Sequence, residues 1–449
     1  MTRARVLSLA VAAAVAIAFA DSSIVVLALP ELYLDFDASI VGISWVITSY
    51  NLVVAVLGIA LVPLSRRVPV PWLAAIGLAL FLAGSIGCGI SPDLTSLIAF
   101  RVLQGIGAAF LLSASLRLLV ALTGFEDTGI ALWASAGMLG AAFGPALGGV
   151  LTEIFSWRAI FIFQAPIAAL ALVALLEPHV RALRPPATFV RPRHLAAPNL
   201  GLLLVFAALV GALFLGVLMI VTVWQFSPIT GALVVSALPV AAVLLRPVGE
   251  LLPPRWDVVS GCLLLAGGLA ALALLPASSA VYAAPAFAIC GAGLGLVLPP
   301  LTRASVTRGA ALTWSSTLSI ASRHAGFVVA LVIIAPLLAT QLEQGGERAT
   351  LNATATILDA RIPLTTKIPV ALELRDEFEQ TPEGSVPDLG AAFAAHGAGS
   401  DPAVSTARDS LLEAIRSSLT RAFRPAFLAS AGFALLAIVP GLIRRRAPA

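Results

Sequence analysis

VLSLAVAAAVAIAFADSSIVVLAL, residues Val6–Leu29, is an unbroken apolar run with one charge in it, Asp21. At about 1.5 Å of rise per residue it is longer as a helix than the roughly 30 Å hydrocarbon core of a bilayer. It is apolar on every side, which a helix on the surface of a soluble domain is not. Arg3, Arg5 and the triplet Ala18-Phe19-Ala20 imitate a secretory leader with an A-x-A cleavage site. Apolar sequence resumes at Ile24–Leu29, however, so the segment reads as an uncleaved membrane span.

The rest of the chain repeats this pattern. Of 449 residues, 59% are hydrophobic and 11% charged, with a mean hydropathy of +1.01; soluble domains have roughly 45–50% and 25%. Runs bounded by Pro, Gly and charge give twelve expected spans near 6–29, 41–62, 70–90, 94–117, 129–151, 159–176, 199–223, 229–246, 258–275, 282–301, 312–338 and 425–443. With the N-terminus inside, cytoplasmic segments hold 16 arginines and the short external loops hold one, Arg158. This asymmetry orients the chain by the positive-inside rule, with both termini cytoplasmic. All seven tryptophans fall near span ends, at headgroup depth. The expected fold is an all-α polytopic membrane protein of twelve transmembrane helices in two six-helix halves, 1–176 and 199–449, joined by a cytoplasmic connector, 177–198.

Several function classes fall away. The net charge of +4 follows from loop topology, so nucleic-acid binding is not expected. The one lysine, Lys367, sits between Thr366 and Ile368, not in the Gly-Lys-Ser/Thr of a nucleotide-binding loop. Cys88, Cys262 and Cys290 lie in apolar runs, and the four histidines lack metal-ligand spacing, so no metal or cofactor is expected. Gly291, Gly293 and Gly295 are followed by Pro299-Pro300 within a span and read as helix packing rather than a dinucleotide loop.

The stretch 341–424 is the main irregularity. It carries 12 acids against 8 bases and is placed outside, between spans eleven and twelve. Its ends, Gln341–Ala360 and Ala403–Arg424, read as helical continuations of those spans, while Pro363, Pro369, Pro382, Pro387 and Pro402 interrupt the middle. In the second end, Val404, Leu411, Leu412, Ile415, Leu419 and Phe423 recur at helical spacing and need a surface to cover them.

Four motifs in order carry a resemblance. They are ADSSIVVLALP (Ala20–Pro30) with WVITSYNL (Trp45–Leu52), RVLQGIGAAF (Arg101–Phe110), Gly140-x3-Gly144-Pro145-x2-Gly148-Gly149, and Ser156-Trp157-Arg158 followed by Phe161 and Pro166. Together they resemble multidrug:proton antiporters of the major facilitator superfamily; in the second half Arg323-His324-Ala325-Gly326 is similar to that family's R-Q-x-G. The resemblance implies the major facilitator fold, alternating access and a glycine-rich antiporter seam on the fifth span. It also marks a departure. The family's inner loop, G-x-L-a-D-R-x-G-R-R, falls on Val62–Pro71, so its Asp is replaced by Arg66, beside Arg67, and the inner gate relay is degenerate.

Charge at membrane depth supplies the candidate site. Among the acids, only Asp21 lies within a span, where a carboxylate costs about 2.5–3.5 kcal/mol and must be paired or functional. It is ~13 Å from the outer end by helical rise, and Arg101 is ~10 Å deep from the same side. The resemblance implies that the first and fourth spans pack together, so an Asp21–Arg101 pair is the expected proton-coupling element, since proton and guanidinium compete for one carboxylate; a static ion pair is the alternative. Gly140, Gly144 and Gly148 share one helix face and permit close packing, and Pro145 permits a bend. Gly149 belongs to the same motif. Gln104, Tyr50 and Arg323 are the substrate-cavity candidates; Arg323 either contacts an anionic group of a substrate or hydrogen-bonds to carbonyls.

These readings converge on a secondary transporter in the bacterial inner membrane that exports an amphipathic or lipophilic compound against proton entry. Its expected partners are the small amphipathic or lipidic substrate, protons and membrane lipids. Two alternatives stay open. One is an exporter of lipid or envelope precursors that uses 341–424 to reach a periplasmic partner. The other is a non-transporting scaffold or sensor. An enzyme is not expected, because one intramembrane acid without a nucleophile or metal constellation supplies too little chemistry.

Overall fold

A computed structural model describes residues 3–185, 193–253, 255–275, 278–307, 309–359, 367 and 402–443. The N-terminal half contains α1 (Arg3–Val26), α2 (Leu29–Asp35), α3 (Ile40–Leu64), α4 (Val70–Gly89), α5 (Leu94–Thr123), α6 (Glu126–Ile154), α7 (Trp157–Val173) and the short α8 (Pro178–Arg181). The C-terminal half contains α9 (Ala196–Val210), α10 (Pro228–Leu251), α11 (Trp256–Ala273), α12 (Ala280–Ser305), α13 (Leu312–Asp359), α14 (Pro402–Ala422), α15 (Arg424–Leu436) and α16 (Ile438–Ile443). Among the described residues, 11 helices are long and apolar enough to cross a membrane. The remaining expected span, 129–151, lies inside α6, a helix of 29 residues. The chain is a multi-pass membrane protein.

Local chemistry sets the breaks. The first span ends at Val26, and a new helix starts beside Pro30, whose ring fits a first turn that needs no amide donor. Asp93 caps α5 by accepting from Ser96 N at 2.8 Å. Gly124 ends α5 in the left-handed conformation, φ 77°. The expected span 199–223 begins as α9 and then widens into π-helical turns at Gly211–Leu215 and Leu218–Val223. Such local expansions re-aim side chains without ending a helix.

The packing repeats under exchange of the halves. α1 lies on α6 and α9 on α13; α4 on α5 and α11 on α12; α3 on α5 and α10 on α12; α4 on α7 and α11 on α15. Between halves, α3 meets α13 and α6 meets α10, and these contacts are also images of one another. A two-fold relation of this kind places a site between the halves.

At one end the halves are sealed. Leu29, Leu32, Tyr33 and Ile40 are buried in one apolar cluster with Leu218, Ile220, Val223 and Trp224. Trp157 fastens this end within the N-terminal half: its backbone N donates to Glu31 Oε2 at 3.0 Å and its Nε1 to Asp35 Oδ2 at 2.8 Å. Burial pushes the Glu31 carboxyl above its usual range, against the Trp157 N–H that lowers it.

The two expected stalks are helices. α13 continues without a break past its span to Asp359, and α14 packs on it. Leu411, Ile415, Leu419 and Phe423 of this return segment are buried. Trp224 Nε1 donates to Thr420 Oγ1 at 3.0 Å and Arg416 Nη2 to Gln225 Oε1 at 2.9 Å. The apolar face of α14 is thus covered by this chain itself. The proline-interrupted middle of the extension, apart from Lys367, lies outside the described residues, as do residues 186–192 of the connector.

Candidate functional site

The structure brings Asp21 and Arg101 together. Arg101 Nη1 is 2.6 Å from Asp21 Oδ2, and neither side chain is exposed. A polar network of the N-terminal half closes around them. Arg101 Nε donates to the Val46 carbonyl at 2.8 Å and Nη1 to Gln104 Oε1 at 2.6 Å. Gln164 Nε2 donates to Asp21 Oδ1 at 3.0 Å. Gln104 Nε2 donates to Ser85 Oγ at 2.9 Å and to Gln164 Oε1 at 3.1 Å. The guanidinium also lies over the ring of Tyr50, 4.4 Å from its centroid. Five spans, α1, α3, α4, α5 and α7, therefore hold one ion pair in a low-dielectric interior, where a polar group without a partner is costly.

Gln104 and Tyr50, expected at a substrate cavity, lie instead inside this sealed network, both 0% exposed. Tyr50 is held there because its hydroxyl donates to the Ala18 carbonyl at 2.7 Å. Of the three cavity candidates, Arg323 lines a cavity.

That cavity, of about 220 Å³, lies between α6 and the helices α9, α10, α12 and α13. It reaches the end of the bundle where Arg246 and Arg303 are exposed, opposite the apolar seal. Pro145 is in its wall. A smaller space of about 30 Å³ continues it inward past Arg323 to Phe19, His324 and Phe327.

The glycine motif serves two contacts. A Cβ at Gly140 would meet the Ala16 carbonyl, at Gly144 the Ser23 hydroxyl, and at Gly148 the Ile24 carbonyl. These three glycines fit α6 onto α1 within one half. Gly149 faces the other way, onto Pro228 and Ala232 of α10, and so lies at the contact between halves. At the same end Glu153 Oε2 accepts from Ile229 N at 2.6 Å, and at the opposite end Glu126 Oε1 accepts from Gly309 N at 3.1 Å. Helix α6 is thus tied to the C-terminal half at both ends. Arg66 and Arg67 are exposed in the turn after α3.

Sequence reading missed one link. His324 Nδ1 on α13 is 2.7 Å from Asn51 Oδ1 on α3, and Asn51 in turn pairs with Ser22, next to Asp21. Gln164 was missed as well. The signal present was a neutral amide inside an apolar run, weaker than a charge.

The Major Facilitator Superfamily model matches residues 11–335. The chain belongs to this superfamily. Among curated proteins it is 35% identical over 163 residues to "Multidrug resistance protein Stp" of Mycobacterium tuberculosis (strain CDC 1551 / Oshkosh), covering 35% of this chain and 30% of that protein. It is 34% identical over 187 residues to "Tetracenomycin C resistance and export protein" of Streptomyces glaucescens, covering 40% and 34%. The matches thus span about a third of each relative's length. Among solved structures, a bacterial homologue of the human lysosomal transporter Spinster, in an inward-facing and unoccupied conformation, aligns with TM-score 0.67 at 15% identity over 100% of both chains. A POT family transporter in complex with a thioalcohol-conjugated peptide aligns with TM-score 0.59 at 12% identity, covering 75% of this chain and 92% of that one. These likenesses establish the fold.

Proposed function

We propose that this superfamily member is a secondary transporter that exports amphipathic or lipophilic compounds in exchange for protons. The observation carrying the reading is the buried Asp21–Arg101 pair, 2.6 Å apart in one half, linked through Ser22 and Asn51 to the wall of a cavity between the halves. Protonation of Asp21 releases Arg101 from its carboxylate, and the network that holds five spans together must then rearrange. Rocking of the halves about the α3–α13 and α6–α10 contacts exchanges access between the two ends. The names of the relatives, which speak of resistance and export, support the outward direction.

The orientation adopted is the one given by the arginine asymmetry, with the Arg246/Arg303 end and both termini on the cytoplasmic face of a bacterial plasma membrane. The cavity in this conformation then takes cargo from the cytoplasmic side. Purified protein in proteoliposomes, given an imposed pH gradient and tested with a cationic dye and a lipid analogue, should move at least one of them. Collapse of the gradient with a protonophore should stop that movement. Movement indifferent to the gradient for every compound would remove proton exchange from the reading.

A further inference from the structure

The charge of the cargo follows from the groups that face the cavity. Arg323 projects into it from within the membrane span. Its Nη2 donates to Thr302 Oγ1 at 2.9 Å, whereas its Nε, buried, has no hydrogen-bond partner among the described residues. The guanidinium lies over two aromatic rings, 5.5 Å from the centroid of Phe206 and 5.9 Å from that of Phe19. Beside it His324 is 3% exposed. Asn51 Nδ2 donates to the Ile47 carbonyl at 2.8 Å, which fixes the amide so that Oδ1 faces His324. A carboxamide oxygen only accepts, so His324 carries its proton on Nδ1, and Nε2 is left as an acceptor without a partner.

Among the described residues that line these spaces there is no acid. The lining of the two connected spaces includes Arg246, Arg303 and Arg323. Asp21, the carboxylate nearest in the chain to Phe19 and Ser23, is sealed behind Arg101 and Gln164. A cation reaching the inner end of this cavity meets the like charge of Arg323 in a medium that screens poorly; an anion meets the opposite.

Building on the export reading, we propose that the cargo is an amphipathic anion. Its carboxylate, sulfonate or phosphate head sits on Arg323, and its aromatic or alkyl body lies among Phe19, Phe206 and Phe327. A hydroxyl or amide N–H next to the head donates to His324 Nε2. The head sits against the guanidinium of Arg323, which gains a counter-charge while cargo is bound. When the cargo leaves, Arg323 loses that counter-charge, which favours the conformation able to take up the next molecule.

Three probes with one body separate the possibilities: 1-pyrenebutyrate, 1-pyrenebutanol and 1-pyrenebutyltrimethylammonium. Equilibrium binding to the purified full-length protein should favour the butyrate over the ammonium probe by at least about tenfold. Arg323→Gln should erase that preference, and Arg323→Lys should keep most of it. Equal or tighter binding of the ammonium probe by the unsubstituted protein overturns the proposal without any variant. So does a butyrate affinity unchanged in Arg323→Gln, or failure of all three probes to bind. The transport reading is judged separately in proteoliposomes. Gradient-driven movement with no preference for the anion leaves export standing and removes the anion site; Arg323-dependent anion binding with no gradient-driven movement does the reverse.

Discussion

His324 Nδ1 on α13 and Asn51 Oδ1 on α3 lie 2.7 Å apart, a buried hydrogen bond that joins the two halves next to the site. It exists in the conformation whose cavity reaches Arg246 and Arg303, so its net worth, about 1 kcal/mol, favours that conformation. His324→Phe keeps a ring and removes the bond. Labelling of a cysteine at Ala134, in the cavity wall, should then slow by a factor of roughly five from the Arg246 side. An unchanged rate would mean the bond is equally present in every access state.

The glycine seam gives a graded series. Ala at position 140 sets a methyl against the backbone carbonyl of Ala16, which cannot move aside, whereas Ala at 144 meets chiefly the Ser23 hydroxyl, which can turn. Gly140→Ala should lower stability by about 1–3 kcal/mol and Gly144→Ala by less. Gly267→Ala, with nothing near the added atom, should be neutral or mildly stabilising. Gly144→Leu should abolish transport. Thermal unfolding in detergent supplies the order; equal melting temperatures for all three alanine variants would count against α1–α6 contact as the reason for these glycines.

The described part of the extension is packed: α14 lies on α13. Leu411→Ser or Ile415→Ser should cost about 2–4 kcal/mol by removing a buried side chain from the α13–α14 contact. Replacing residues 360–401 with a short Gly/Ser linker should leave the melting temperature within a few degrees. If that segment guides cargo, export of lipophilic compounds should fall much more than that of small hydrophilic ones. Equal export of all compounds would reduce it to a tether.

Much of this architecture was legible because a bilayer makes each span announce itself. Val6–Leu29 needs no partner to be read as a membrane helix, and helical rise puts one carboxylate and one arginine at matching depth, which the family resemblance, by setting the first and fourth spans together, turns into a pair. The exceptions have local causes. Tyr50 and Gln104 look like cavity residues in sequence, but a hydroxyl bonded to the Ala18 carbonyl and an amide bonded to Ser85 and Gln164 turn them into the N-terminal half. The face of α6 carrying Gly140, Gly144 and Gly148 was readable as small, yet its partner, α1, was not, because small-residue spacing specifies closeness and not identity. The Asn51–His324 link spans 273 residues of chain and depends on how the halves meet.

Asp21→Asn tests the central claim most directly. The change is nearly isosteric and keeps an oxygen for the Gln164 amide, but it removes the charge opposite Arg101 and the possibility of carrying a proton. Breaking a buried pair costs about 3–5 kcal/mol, so the variant is first shown to be monodisperse and to bind cargo within about tenfold of the unsubstituted protein. In proteoliposomes with an imposed pH gradient, its transport should fall to the level of protein-free vesicles. Gradient-driven transport undiminished in Asp21→Asn would contradict proton coupling through the Asp21–Arg101 pair.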